Sequence, residues 1–270
     1  MTEITSKAEI DKAHPEEGPW DRLRVILGDE GLAKLRASTV MVLGLGGVGS
    51  NCTLALARGG VGHLVAVDRD VVNPSNINRQ AVARISTMGR PKTDVITEMV
   101  ADINPECQVT ALHDFIEKDR VAEQLDALPV PDIVIDAIDT VAQKLRIAAW
   151  AQARGYHEIC SLGAANKLDP TRFKFMDVSE TSADPLAKVM RKECRKRGIG
   201  PLEVLCSDEV PLKFEPPAGM PMDETGRPVD RGSVLGTMSY LPAVMGQMIA
   251  GRALCRILGI HNDRDPLGEW

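Results

Sequence analysis

The feature that most constrains this chain is a glycine-rich turn that joins an apolar run to a helical pattern. The run TVMVLG at 39–44 is continuously apolar and rich in β-branched residues, as is typical of a strand buried on both faces of a parallel sheet. GLGGVGS follows, and NCTLALARGGVG at 51–62 is helical in character until its glycines end the helix. A second buried strand is predicted over HLVAVD at 63–68. This unit is the repeating piece of a doubly wound α/β sheet.

The same alternation continues after the first unit. Further strands are predicted over 108–113, 132–139 and 157–163, with helices over 91–104, 119–128 and 142–155. Five strands alternating with helices predict an α/β, Rossmann-like, mostly parallel sheet with right-handed crossovers.

The chain changes character after about residue 165. A polar, extended segment leads to a basic helix over 185–198, a long Pro- and Gly-rich loop over 211–233 and an apolar helix within 234–259. Arg252 and Arg256 in that last helix favour a buried or interface helix over a membrane span.

Composition limits the classes of function. Six cysteines are scattered without a CxxC pair, which indicates reduced thiols and a cytoplasmic protein, and residues 1–19 carry no apolar signal segment. The net charge of -6 and 3% aromatic residues argue against a chain that coats nucleic acid. The acidic excess lies in residues 1–150, however, since residues 151–270 hold 16 basic and 16 acidic side chains.

The glycine turn predicts a nucleotide site. Gly44, Gly46 and Gly49 fit the pattern G-x-G-x-x-G between a strand and a helix, and Asp68 at the next strand end is placed to bind a ribose. Taken alone, this pattern fits NAD or FAD equally well, or glycines that only close a tight turn.

The residues after Asp68 favour a triphosphate over a dinucleotide. Asn76, Arg79 and Lys92 offer amide, guanidinium and ammonium donors within a short span. Asp139, predicted to end the fourth strand, would lie at the same edge of the sheet and suit Mg²⁺. Each of these residues alone also fits a surface salt bridge or a helix cap.

Five motifs together resemble the ubiquitin-activating-enzyme-like (ThiF/MoeB/HesA) superfamily over about residues 20–165: GLGGVGS, DRDVVNPSNINRQ, GRPK, INPEC and DAIDT. The segment SLGAANKLDPTRFKFMDVSETSADPLAKVMRKECRKRGI at 161–199 resembles the tRNA threonylcarbamoyladenosine dehydratases (TcdA, also called CsdL) within that superfamily. The resemblance implies ATP-dependent adenylation and cyclisation of the threonylcarbamoyl group in tRNA, with net loss of water. It divides the chain into an acidic disordered tail (1–19), an ATP-binding adenylation core (20–165) and a C-terminal extension packed on that core (166–270).

The resemblance also implies roles for individual residues. The residues implied to bind ATP are Gly44, Gly46, Gly47, Gly49, Asp68, Asp70, Asn76, Arg79 and Lys92, with Asp139 holding Mg²⁺. Arg79, Lys92 and Asp139 are implied to be catalytic, and so is Arg22, which would reach the partner's site in a homodimer. Arg24 is the alternative for that role. A monovalent cation is a further candidate cofactor, whereas Cys194, Cys206 and Cys255 cannot form the CxxC pairs of a structural zinc site.

The basic helix is a candidate tRNA surface. At helical spacing one face presents Lys188, Arg191, Lys192, Arg195 and Lys196. The alternative is an ordinary solvated helix face. Two other functions stay open: an adenylyltransferase acting on the Gly-Gly end of a sulfur-carrier or ubiquitin-like protein, and a dinucleotide-binding module without enzyme activity.

Overall fold

The computed structural model describes residues 18–214 and 235–260. The helices are α1 (Asp21–Ala37), α2 (Gly47–Arg58), α3 (Lys92–Ile103), α4 (Val121–Asp126), α5 (Val141–Arg154), α6 (Pro185–Arg197) and α7 (Leu241–Leu258). The strands are β1 (Thr39–Leu43), β2 (His63–Val67), β3 (Gln108–Leu112), β4 (Ile133–Asp136), β5 (His157–Ser161), β6 (Phe173–Asp177) and β7 (Glu203–Ser207).

The seven strands form one sheet in the order β3-β2-β1-β4-β5-β7-β6. Every neighbouring pair is parallel except β6 and β7, which run antiparallel. β1 is the third strand from the β3 edge, and the order reverses there, since β2 pairs with one side of β1 and β4 with the other. Open α/β sheets bind ligands at such a point, beyond the carboxyl ends of the strands. We call this side of the sheet the carboxyl edge.

Helices cover both faces of the sheet. On one face, α2, α3 and α7 bury side chains such as Leu56, Val95 and Ile249 against β1, β2 and β5. On the other face, α4, α5 and α6 pack through residues such as Trp150 and Met190. The strands are consequently apolar in both directions, which explains why they are continuous apolar runs in the sequence.

α2 and α7 approach each other closely. A Cβ at Gly246 of α7 would lie 2.5 Å from the carbonyl oxygen of Val48 and 2.8 Å from the amide nitrogen of Cys52. Pro242 at the start of α7 lies against Gly47 in the same way. The apolar helix near the chain's end therefore packs directly on the helix that follows the glycine turn.

The predicted α/β class and mostly parallel sheet are confirmed, and all five predicted strands are present. The fourth strand was predicted to end at Asp139 but ends at Asp136, because the chain turns towards α5 three residues earlier. Two strands were missed, Phe173–Asp177 and Glu203–Ser207, and they join residues beyond 165 to the same sheet.

Two predicted segments fall largely outside the described residues. These are the acidic tail at 1–19, of which 18 and 19 are described, and the loop at 211–233, of which 211–214 are described. Among the described helices, none combines the length and the apolar character that crossing a membrane requires. No disulfide joins any of the six cysteines, of which Cys255 alone is exposed.

Candidate functional site

The glycine turn between β1 and α2 is closed by two glycines that the fold requires. Gly44 has a φ of 89°, and a Cβ there would lie 2.9 Å from the carbonyl oxygen of Ala137. A Cβ at Gly49 would lie 1.8 Å from the carbonyl oxygen of Gly44, closer than any side chain can approach. Both positions thus exclude a side chain for reasons internal to the protein.

Gly46 is different, because the space beside it is open. A Cβ at Gly46 would have one heavy atom within reach, Nε2 of Gln80 at 4.0 Å. Gly46 directly precedes the 12-residue helix α2, whose first amides carry the positive end of the helix dipole. The turn therefore leaves room for an anionic group in front of the helix, which is the geometry a phosphate needs.

Asp68 fastens this turn to the end of β2. Its Oδ2 accepts a hydrogen bond of 2.6 Å from the amide of Leu45, and its Oδ1 accepts one of 2.7 Å from the amide of Asp70. A carboxylate has about four acceptor sites, so these two bonds leave capacity for ribose hydroxyls.

Lys92 joins the same group of residues from the start of α3. Its Nζ lies 2.9 Å from Oδ2 of Asp70 and 3.8 Å from Oδ2 of Asp68, and the side chain is 4% exposed. Its backbone amide also donates to the carbonyl oxygen of Asp70 at 3.0 Å. The structure thus brings Lys92 against two acids that precede it by more than 20 positions in the sequence.

Arg79 is held beside the glycine turn by its backbone. Nδ2 of Asn51, one turn into α2, donates to the carbonyl oxygens of Gly47 at 2.7 Å and of Arg79 at 3.3 Å. The Arg79 side chain passes next to Gly47, and its Nη1 donates to the carbonyl oxygen of Ser75 at 3.0 Å. Asn51 was missed by the sequence reasoning, although its place one turn after Gly47 is a signal that could have found it.

Asn76 lies in the same segment, in a short 3₁₀ turn at Pro74–Asn76. It is buried, and its Oδ1 accepts a hydrogen bond of 3.0 Å from the amide of Asn73. Ser50 of α2 braces the segment further on, since its Oγ accepts from the amide of Ala81 at 3.0 Å. The phosphate-binding candidates at 76 and 79 therefore sit on a segment anchored directly to α2.

Asp139 lies in the loop between β4 and α5 and not at the end of a strand as predicted. It is exposed at the carboxyl edge, where its Oδ1 accepts from Oγ1 of Thr140 at 3.2 Å. An exposed carboxylate is a hard oxygen donor, so its chemistry fits Mg²⁺. The same loop contacts the glycine turn, because Ala137 lies against Gly44.

The two N-terminal arginines differ in their partners. Arg24 forms ion pairs with Asp21 and, at 2.8 Å, with Oδ1 of Asp29. Arg22 is exposed, and within the described residues its side chain has no ion pair or hydrogen bond. Its neighbours Val25 and Ile26 are 85% and 79% exposed. Of the two candidates, Arg22 is the one whose guanidinium is available to another molecule.

The basic helix α6 is formed as predicted, but one of the five candidate tRNA-binding residues is used internally. Four side chains are exposed: Lys188, Lys192, Arg195 and Lys196. The half-buried Arg191 instead donates from Nη1 to the carbonyl oxygen of Thr181 and, at 2.8 Å, to its Oγ1. Arg197 pairs with Glu193 on the helix itself. The exposed basic face therefore has four members.

Two buried lysine–aspartate pairs near the carboxyl edge were not predicted. Lys144 of α5 pairs with Asp136 at the end of β4, with 3.2 Å between Nζ and Oδ1. Lys167 pairs with Asp184 at 2.6 Å, and Asp184 also caps α6 through the amide of Ala187. Nothing in the sequence pattern distinguishes these lysines from exposed ones.

Comparison with known proteins agrees with this geometry. The model of the ThiF family matches residues 21–267. The tRNA threonylcarbamoyladenosine dehydratase of Bacillus subtilis is 39% identical over 241 residues, or 88% of this chain and 94% of the relative. The E. coli tRNA N6-threonylcarbamoyladenosine dehydratase TcdA, solved in complex with ATP, has a TM-score of 0.76 at 27% identity, covering 94% of this chain and 97% of that one.

A more limited similarity extends to an enzyme of the alternative type. The sulfur carrier protein ThiS adenylyltransferase of Escherichia coli is 36% identical over 129 residues, which is 47% of this chain and 50% of the relative. The strand order, the glycine turn and the match over nearly the whole described chain lead to one conclusion: the chain belongs to the ThiF family.

Proposed function

We propose that this protein is an ATP-dependent tRNA threonylcarbamoyladenosine dehydratase acting in the cytoplasm. The observation that carries the proposal is the open space at Gly46, in front of α2, with Asp68, Lys92 and Arg79 gathered around the same turn. The similarity to curated dehydratases over most of both chains supports this substrate.

The reaction follows from the weakness of a carboxylate as an electrophile. The threonyl carboxylate attacks the α-phosphorus of ATP, which forms an acyl adenylate and releases pyrophosphate. A nitrogen of the same side chain then attacks the acyl carbon, closes a five-membered ring and expels AMP. Because ring closure is intramolecular, it needs alignment and no cysteine nucleophile.

The protein's part is to hold and neutralise the phosphates. The donors for phosphate oxygens are the amides of the glycine turn, the Lys92 ammonium and the Arg79 guanidinium. Asp68 orients the ribose, and Asp70 orients the Lys92 side chain. Asp139 would hold Mg²⁺, which would supply positive charge to the phosphate oxygens when bound with ATP.

The alternative is an adenylyltransferase for a carrier protein that ends in Gly-Gly, working with a sulfur-relay partner. Both functions use the same adenylation site. The exposed basic face of α6 favours a tRNA over a carrier protein, since the face suits a phosphate backbone.

The first prediction separates these two functions. The protein is incubated with ATP, Mg²⁺ and tRNA carrying threonylcarbamoyladenosine, and the nucleosides are then analysed by mass spectrometry. We expect the modified nucleoside to lose one water, with AMP and pyrophosphate released. An unchanged nucleoside, together with pyrophosphate release on adding a Gly-Gly carrier protein, would establish the alternative.

The second prediction tests the role of the open space at Gly46. Gly46→Ala places a methyl group where we expect a phosphate, so ATP affinity should fall by about tenfold or more while the melting temperature stays unchanged. Gly49→Ala is the matched control, since its methyl group collides with Gly44 and should lower the melting temperature. Calorimetric ATP titration and thermal unfolding measure the two effects; normal ATP affinity in Gly46→Ala would contradict this role.

We further propose a homodimer in which Arg22 completes the partner's site. Arg22 has no partner within the described part of its own chain, and Val25 and Ile26 beside it expose apolar surface that an interface would cover. Arg24 is already committed to Asp21 and Asp29.

The third prediction tests whether Arg22 acts across subunits. Arg22→Ala and Lys92→Ala proteins should each be inactive alone. Mixed and exchanged, they should regain roughly a quarter of wild-type activity, because half the dimers are mixed and one of their two sites is intact. No recovery on mixing would place Arg22 in the site of its own chain, and Arg24→Ala should stay active.

The fourth prediction concerns tRNA binding by α6. The fourfold variant replaces Lys188, Lys192, Arg195 and Lys196 by Gln, and it should bind tRNA more weakly. The slope of log affinity against log salt concentration should become shallower by about 3, because each phosphate that is no longer neutralised accounts for roughly 0.7–0.9. Arg191→Gln should lower the melting temperature but leave the slope unchanged, because its guanidinium contacts Thr181. Filter binding at a series of salt concentrations measures this slope. An unchanged slope in the fourfold variant would show that α6 does not bind tRNA.

A further inference from the structure

We propose that Lys144, through Asp136, is a positioning residue that fixes the loop carrying Asp139 and presses that loop against the glycine turn. The inference rests on the proposed function, because it assigns Asp139 to the magnesium ion bound with ATP. Lys144 itself touches neither nucleotide nor metal.

Lys144 is buried directly behind the carboxyl edge. It rises from α5, is 1% exposed, and donates from Nζ to the backbone carbonyl oxygen of Asp136 at 3.3 Å. The Asp136 carboxylate is fully buried, with Oδ1 at 3.2 Å from the same Nζ. One ammonium group therefore holds both the main chain and the side chain of the last residue of β4.

Asp136 passes this restraint on to the loop. Its Oδ1 accepts a hydrogen bond of 3.0 Å from the amide of Ile138, and the amide of Ala137 donates to the carbonyl oxygen of Leu43 at 2.8 Å. Since α5 begins at Val141, the segment 137–140 is short, and both amides of its first half donate hydrogen bonds. The position of Asp139 is thus set by Asp136 on one side and by α5 on the other, and Lys144 connects the two.

The charges around Lys144 leave Asp136 dependent on it. Burial alone would lower the pKa of Lys144, but the attraction of Asp136 raises it, so the side chain is an ammonium ion. Burial, and after it the negative charge of Asp136, raises the pKa of Glu158 well above its ordinary value, which favours the protonated form of that carboxyl. Asp136, Glu158 and Cys160 form a buried cluster of metal-ligand type, and the Lys144 ammonium supplies its positive charge.

Removing Lys144 would leave the Asp136 carboxylate buried without a counter-charge. Such a buried charge is strongly disfavoured, so the carboxylate should leave its present position and its hydrogen bond with the Ile138 amide should weaken. Loss of Lys144 should therefore displace Asp139 and leave Asp68 and Lys92 in place, because separate hydrogen bonds hold these two residues.

The chain offers a matched control in Lys167. This lysine is equally buried, pairs with Asp184 at 2.6 Å and donates to the carbonyl oxygen of Gly163 at 2.8 Å. Its pair holds the loop after β5 and has no bond to segment 137–140. Loss of a buried lysine–aspartate pair is therefore common to both substitutions, and displacement of Asp139 is specific to one.

The experiment measures how ATP binding depends on Mg²⁺ in Lys144→Met, Lys167→Met, Asp139→Asn and wild-type protein, by calorimetric titration with Mg²⁺ varied from chelator-treated to saturating. We expect Lys144→Met and Asp139→Asn to raise the Mg²⁺ concentration for half-maximal ATP binding at least tenfold. Lys167→Met should stay within about twofold of wild type, although both lysine variants lose thermal stability.

A double variant covers the case in which Lys144→Met does not fold. Asp136→Asn with Lys144→Met removes both charges, and it should fold yet still need more Mg²⁺, because the bond from Nζ to the Asp136 carbonyl is lost. Wild-type Mg²⁺ dependence in a folded variant lacking Lys144 would overturn this inference alone. Failure of the wild-type protein to bind ATP with Mg²⁺ would overturn the proposed function with it.

Discussion

The contact between Gly49 and the carbonyl oxygen of Gly44 is the constraint on which the rest of the site depends. Because no side chain separates them, α2 begins directly above the end of β1. That approach points the first amides of α2 towards the carboxyl edge and leaves Gly46 beside open space. It also brings α2 close enough for Asn51 to bond Arg79 and for Gly246 of α7 to pack against Val48.

Buried ion pairs hold the loops at the carboxyl edge of the sheet, whereas exposed ion pairs lie on the protein surface and contribute less to the stability of these loops. An exposed pair such as Arg24 with Asp21 contributes little to stability, because water screens the charges and both side chains lose conformational freedom. Breaking a buried pair such as Lys167 with Asp184 costs about 3–5 kcal/mol, since the remaining charge is stranded in the interior. The geometry of the carboxyl edge therefore depends on a few buried charges more than on the many surface ones.

The fold was predictable because β1, β2 and β4 are almost wholly buried and consist mainly of apolar residues, as in TVMVL of β1. The glycine turn was predictable because the spacing of its glycines is a local property of the sequence. β7 was not predictable, because EVLCS has a charged residue at one end and a polar residue at the other, and its burial arises only when it pairs with β5 and β6. Asp139 was placed at a strand end because the apolar pattern does not record where the backbone turns. Arg191 and Lys144 show what the sequence alone does not reveal. A basic residue in a helical pattern has the same sequence context whether its side chain is exposed to solvent or contacts Thr181 or Asp136.

The charge distribution is compatible with the proposed tRNA substrate, although the protein is acidic overall. Three acids beside the glycine turn are committed to partners: Asp68 and Asp70 hold the glycine turn and Lys92, and Asp136 is neutralised by Lys144. On α6, by contrast, Glu193 is paired with Arg197 on the same helix, and four basic side chains remain exposed. Asp184 connects these two regions, because it caps α6 and also binds Lys167 in the segment that follows β5. A phosphate backbone lying on α6 would therefore be held in fixed register with the carboxyl edge, where the proposed adenylation takes place.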